Sequence, residues 1–179
     1  MFNVKKYAFK VHIDNVKAGW WDNPDECIHQ KIQLAVTEVA EATEGARKGL
    51  MDDHLPKRKM EEVELADVMI RLLDIGGKYG IQYLENTLPH IWTIEENSTG
   101  KQHLGITASL VSFADELGGN NHSRRVVVQQ YSICINSIIN VSNNKGYDLQ
   151  AAMDEKLEYN KNRADHKPAN RAKEGGKKF

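Results

Sequence analysis

Two pairs of acidic residues interrupt otherwise apolar helical sequence: Glu38-x-x-Glu41 and Glu64-x-x-Asp67, with twenty-two residues between Glu41 and Glu64. At i, i+3 spacing both carboxylates of a pair leave the same face of a helix. From Ile32 to Ala42 (IQLAVTEVAEA) the only charges are Glu38 and Glu41; from Leu65 to Ile75 (LADVMIRLLDI) they are Asp67, Arg71 and Asp74. Acidic groups among apolar neighbours are costly to bury unless they are compensated. The pattern therefore calls for two antiparallel helices joined by a short connection, with their acids facing each other. Four such carboxylates would repel one another by roughly several kcal/mol at low effective dielectric, and a cation removes that penalty.

Oxygen-only ligation suits Mg²⁺, with Mn²⁺ as the second candidate, and Glu38, Glu41, Glu64 and Asp67 are the expected ligands. A di-iron bundle would need Glu-x-x-His on two helices. That motif is absent, and His12, His29, His54, His90, His103, His122 and His166 are scattered without ligand spacing.

The remaining chain reads as all-α. Helices are expected at about 4–17, from Pro24 to about Lys48, at about 59–78, 82–92, 104–117, 123–143 and 148–163. Gly49 and Gly80 close the two acidic helices, and a polar loop covers 95–102. One domain is expected over 1–164, an antiparallel helix bundle with its acidic hairpin at about 24–80 and a second helical unit at about 103–164. A basic, loosely held tail follows over 165–179.

A weak internal repeat supports two hairpin units: 31–45 (KIQLAVTEVAEATEG) resembles 105–119 (GITASLVSFADELGG), and 74–81 (DIGGKYGI) resembles 140–147 (NVSNNKGY). Superposed, Glu38 falls on Ser112, Glu41 on Asp115, Glu64 on Gln130 and Asp67 on Ile133. The second unit keeps the helical pattern and loses most of the acids, unless amphipathic helices of similar length simply look alike.

A formal net charge of −1 gives no global attraction to nucleic acid or acidic lipid. No apolar run is long enough to span a membrane, and the first residues (MFNVKKYAFKVHIDN) carry charges where a secretory signal would be apolar. Cys27 and Cys134 lack Cys-x-x-Cys spacing. A reduced, cytoplasmic protein is expected.

Here the motifs resemble a family. Glu38-Val-Ala-Glu41-Ala with Arg47-Lys48-Gly49, then Glu64-Leu-Ala-Asp67 with Ile70-Arg71-Leu-Leu-Asp74, is similar to the metal motif of the all-α nucleoside triphosphate pyrophosphohydrolases, the MazG-like and dimeric dUTPase/dCTPase group. Glu158-Tyr159-Asn160-Lys161-Asn162-Arg163 and the closing Gly175-Gly176-Lys177-Lys178-Phe179 resemble the short MazG-like proteins of bacteriophages and bacteria. The segment from about Gln82 to Asn144 departs from that short pattern, as if a helical unit were inserted.

The resemblance implies Mg²⁺-dependent cleavage of a (deoxy)nucleoside triphosphate between its α and β phosphates, giving the monophosphate and pyrophosphate, in nucleotide-pool control. It implies a cytoplasmic enzyme (the host cytoplasm for a phage protein), a homodimer or higher homo-oligomer, and no membrane or nucleic-acid partner. Glu38 and Glu41 become the catalytic candidates; which of them is the general base stays open. Lys156, Asn160 and Arg163, at i, i+4 and i+7, are carried over as phosphate or sugar contacts, against a plain basic helix end as the alternative.

Other residues have two readings each. Trp20-Trp21 precede the first acidic helix; Trp21 is the candidate to stack on a base, with core packing as the alternative. His29 and Gln33 reach for a base edge or form an ordinary polar face. Arg71 pairs with Asp67 or Asp74, and Asp74 supports the metal ligands from behind. Two non-catalytic readings compete: a helical nucleotide-binding or protein-interaction module, and a metal-free bundle whose acids pair with Lys57, Arg58 and Lys59.

Overall fold

The computed structural model describes residues 3–23, 27–94, 98–119, 123–163, 170 and 174. Within them the chain forms α1 (Val4–Lys17), α2 (Ile28–Lys48), α3 (Met60–Tyr79), α4 (Ile91–Ile94), α5 (Thr99–Gly118), α6 (Arg124–Asn144) and α7 (Leu149–Asn162), with no strand among the described residues. The all-α expectation holds, and no described helix is long and apolar enough to cross a membrane. Pro24, His122, His166 and nearly all of the basic tail lie outside the described residues.

Side-chain caps start several of these helices. Asn3 accepts from the Lys6 amide at 3.0 Å, and Asp148 accepts from the Ala151 amide at 3.0 Å, each satisfying a donor that the first helical turn leaves free. α2 begins at Ile28 behind Cys27, later than the expected start at Pro24. The connection from α2 to α3 is a tight turn. Met51 and Lys59 form an antiparallel bridge, and the Asp52 carboxylate accepts from the amides of His54 (2.9 Å) and Leu55 (2.6 Å). This turn lays α3 antiparallel along α2.

α3 is the centre of the molecule and touches α1, α2, α6 and α7. Leu65, Val68, Met69, Leu72, Leu73 and Ile75 are fully or almost fully buried, each contributing roughly 1.5–3 kcal/mol. They meet Ile135, Ile138 and the Phe113–Tyr131 ring pair of α5 and α6. α3 crosses α6 at Gly76, where a Cβ would lie 2.1 Å from the Tyr131 hydroxyl.

The two hairpins end alike. Gly80 (φ 57°) and Gly146 (φ 70°) both take left-handed backbone, and the following amides close back by the same bond, Ile81 to the Gly76 carbonyl and Tyr147 to that of Ser142, each at 2.9 Å. These are equivalent positions in the repeat read from the sequence.

The helix expected at 82–92 is not formed. Residues 81–90 are non-helical, and only Ile91–Ile94 makes a helical turn. The polar face of α6 holds this strap: Ser132 accepts from the Leu84 amide (2.9 Å), Ser137 from the His90 amide (2.8 Å), and Asn136 donates to the Thr87 carbonyl (2.6 Å). Those bonds satisfy the backbone outside a helix, and Pro89 disfavours helical geometry at Leu88. The helix expected at 104 starts earlier, at Thr99, where Ser98 caps the Lys101 amide.

Candidate functional site: a carboxylate cavity between four helices

α3 carries acids into the interior, and most of them have a designated partner. Glu61 takes the Tyr147 hydroxyl (2.6 Å), Lys145 Nζ (3.1 Å) and His103 Nε2 (3.2 Å). Glu62 takes Arg58 (2.7 Å) and the Asp148 amide (3.1 Å). Asp67 pairs with Lys156 Nζ of α7 at 2.9 Å, and Asp74 takes three donors from α1 and the turn after it. Glu64 departs from this pattern: it is 6% exposed, yet no donor among the described residues reaches it.

The acids of the motif do converge. Glu38, Glu41 and Glu64 each offer an oxygen within 4.8 Å of the others, so the three can share one divalent ion. Asp67 is outside that trio but lines the same cavity of about 710 Å³, which α1, α2, α3 and α7 enclose. Glu38 is held by the Arg71 guanidinium, whose Nε donates to Oε1 at 2.8 Å and whose terminal nitrogen donates to the same oxygen. The expected pairing of Arg71 with Asp67 or Asp74 is thus replaced by a bond across to α2, because Lys156 and the α1 donors already occupy those two acids. Arg58 serves Glu62 and Glu155 instead of the motif acids, which removes it from the salt-bridged, metal-free reading.

Electrostatics set the cavity apart. Burial pushes the Glu64 carboxyl up to about 9, with Asp67, Glu38 and Glu41 adding to the rise and Lys156 opposing it. Glu41 is exposed at the cavity mouth, yet partial desolvation, then the charges of Glu38 and Asp67, raise its carboxyl too. Asp67 is raised by burial against the pull of Lys156. Burial alone would lower Lys156, but Asp67 and Glu64 outweigh it and keep the ammonium charged. The site resists full ionisation, and a hard cation bound there would supply the opposing charge. The donor set, histidine-free and all oxygen, fits Mg²⁺ or Mn²⁺.

Lys156 and Asn160 sit on α7 as expected, whereas Arg163 lies just past the helix as its extended C-cap and so leaves the helical face. Lys156 is 3% exposed, Asn160 turns a buried Oδ1 that accepts no bond from any described residue, and both line the cavity. Arg163 lines it too, its guanidinium 5.7 Å from the centre of the Tyr159 ring. Trp21 is placed differently from the expectation. Its indole N–H donates to Asp74 at 2.9 Å, its ring meets the ammonium groups of Lys31 and Lys78 at 4.9 Å each, and it is not a lining residue; Trp20 is. Nor do His29 and Gln33 line the cavity: His29 packs against Gly118, and Gln33 is exposed. Asp74 does not support the motif acids but binds α1.

Sequence reasoning missed Asn15, Ala18 and Leu34 as cavity lining. The buried stripe Val4, Ala8, Val11 shows that α1 packs one face inward, but nothing in the sequence says that its partner is α3. No protein-family model, curated protein or solved structure matches the chain.

Proposed function

We propose that the protein is a divalent-metal-dependent nucleoside triphosphate pyrophosphohydrolase. The observation that carries this reading is Glu64: a buried acid that no described donor serves, within 4.8 Å of oxygens of Glu38 and the exposed Glu41, in a cavity that also holds a lysine and an arginine. Glu38, Glu41, Glu64 and Asp67 would hold Mg²⁺, with Mn²⁺ as a substitute. When bound, such an ion neutralises phosphate oxygens and acidifies a coordinated water.

The chain's own residues supply the rest. Lys156 and Asn160 of α7, with Arg163 just past its end, present two cations and an amide to the phosphate chain. Arg71 holds Glu38 fixed through two N–H donors on one oxygen, so Glu38 is a poor proton acceptor. Glu41 has no such donor and its carboxyl is raised, which makes it the general base. The attacking water forms a bond to the α phosphorus and passes its proton to Glu41; the bond from that phosphorus to the α–β bridging oxygen breaks, and pyrophosphate leaves.

Pyrophosphate release from each nucleoside triphosphate, with Mg²⁺ and with EDTA, tests the reading. Metal-dependent release is expected, and Glu41→Gln should abolish it with the helical circular dichroism intact. Equal release by the wild type and the variant removes Glu41 as the base; no release by the wild type leaves a non-catalytic binding module.

A further inference from the structure

One carboxylate of α3 gathers three donors from a different part of the chain. Asp74 Oδ1 lies 2.8 Å from His12 Nδ1 and 2.9 Å from the Trp21 indole nitrogen, and Oδ2 accepts from Asn15 Nδ2 at 2.6 Å. The rings of His12 and Trp21 meet edge-on with centroids 5.4 Å apart. Asp74 is 7% exposed, so the cluster is a buried clamp and not a surface network. A second observation locates its purpose. α1 packs tightly on α3 at Gly77, where a Cβ would stand 2.5 Å from His12 Cβ and 2.7 Å from the Ala8 carbonyl. The clamp thus fixes the last turn of α1 and the turn after it against α3.

That fixed segment is one wall of the cavity. It supplies Asn15, Ala18 and Trp20, which face Leu34, Ile70 and Ile75 of α2 and α3. Asp74 follows Glu64 by ten residues, about 15 Å along the helix. The cavity therefore has two chemically distinct ends: a densely charged one at Glu41, Glu64 and Lys156, and a mixed one where Ala18, Trp20, Leu34, Ile70 and Ile75 stand with Asp14, Asn15, Lys31 and Asp74. An inorganic polyphosphate would use only the first. A flat, partly apolar body joined to a phosphate chain uses both, and a planar ring gains from contact with an indole.

Resting on the function proposed above, we infer that Asp74 is a positioning residue for selectivity: by clamping His12, Asn15 and Trp21 it holds the wall that distinguishes a nucleoside triphosphate from a bare polyphosphate. Asp74 lines the cavity about 15 Å along α3 from Glu64, away from the phosphate end, and acts by holding Asn15 directly and Trp20 through its neighbour Trp21.

Binding calorimetry in Mg²⁺ decides this, with two probes: tripolyphosphate and the α,β-methylene deoxynucleoside triphosphates. Asp74→Asn should weaken the best-bound nucleotide by about tenfold or more while changing tripolyphosphate by less than about twofold. In turnover KM should rise with kcat nearly unchanged. Trp21→Phe, which keeps a ring but removes one donor from the clamp, should act in the same direction and more weakly, and covers the case in which Asp74→Asn does not fold. Equal losses on both probes, or no loss on the nucleotide, overturn the inference. Should the wild type release pyrophosphate while Asp74→Asn and Trp21→Phe match its selectivity, this inference alone falls; should the wild type bind neither probe, the pyrophosphohydrolase reading falls with it.

Discussion

The Lys156 ammonium stands 2.9 Å from Asp67 Oδ2, a buried contact between the last helix and the acidic hairpin across eighty-nine positions of sequence (156 − 67). Lys156 is 3% exposed. Removing one member of a buried pair leaves the other charge uncompensated, which typically costs about 3–5 kcal/mol. Lys156→Ala should lower stability on that scale in urea unfolding. Lys156→Arg, which keeps the charge, should cost less.

Glu64 gives the pH prediction. Its carboxyl titrates near its ordinary value of 4.5 when unfolded and at about 9 when folded. Between those values the native state holds a proton that the unfolded state has released, so stability contributed at this site falls as pH rises through the window. With EDTA, Glu64→Gln should therefore melt several degrees above wild type at pH 8, and the gap should close toward pH 4.5. Added Mg²⁺ should raise the wild-type Tm at pH 8 and leave that of Glu64→Gln nearly unmoved. Thermal melts over pH, with and without metal, check both halves.

Arg71 fixes Glu38 through two N–H donors on one oxygen. A lysine ammonium cannot reproduce that fork. Arg71→Lys should reduce kcat for pyrophosphate release by roughly tenfold or more while the unfolding midpoint moves little.

Asp115, the counterpart of Glu41 in the second hairpin, is exposed and does not line the cavity. Asp115→Ala should leave pyrophosphate release within about twofold of wild type. Total loss would mean that the second unit contributes to the chemistry.

Gly76 sets the distance between α3 and α6. A Cβ there would fall 2.1 Å from the Tyr131 hydroxyl oxygen, inside the buried core. Gly76→Ala should destabilise by about 1–3 kcal/mol through overpacking, measured by chemical denaturation. Tyr131→Phe in the same chain should recover part of the loss.

The helices themselves were legible because their signals are local. The spacing of Glu38, Glu41, Glu64 and Asp67, the closing glycines at 49 and 80, and the short turn between them are enough to pair α2 with α3 and to bring three of the four acids together. The strap at 81–90 was not legible. Its sequence has enough apolar residues for a helix, and only the side chains of Ser132, Asn136 and Ser137, some fifty residues away, give its backbone a better set of partners.

Outside the strap at 81–90, sequence alone determined the element type, the hairpin and the identity of the charged groups, since helix periodicity and capping act within a few residues. Tertiary structure decided which charge meets which: that Arg71 crosses to Glu38, that Lys156 takes Asp67, and that Asp74 holds α1 while Trp20 and not Trp21 lines the cavity. Those choices are competitions among nearby groups in a medium of low dielectric, where ångström differences in helix placement select the winner, and helix placement is fixed by core packing of the whole bundle.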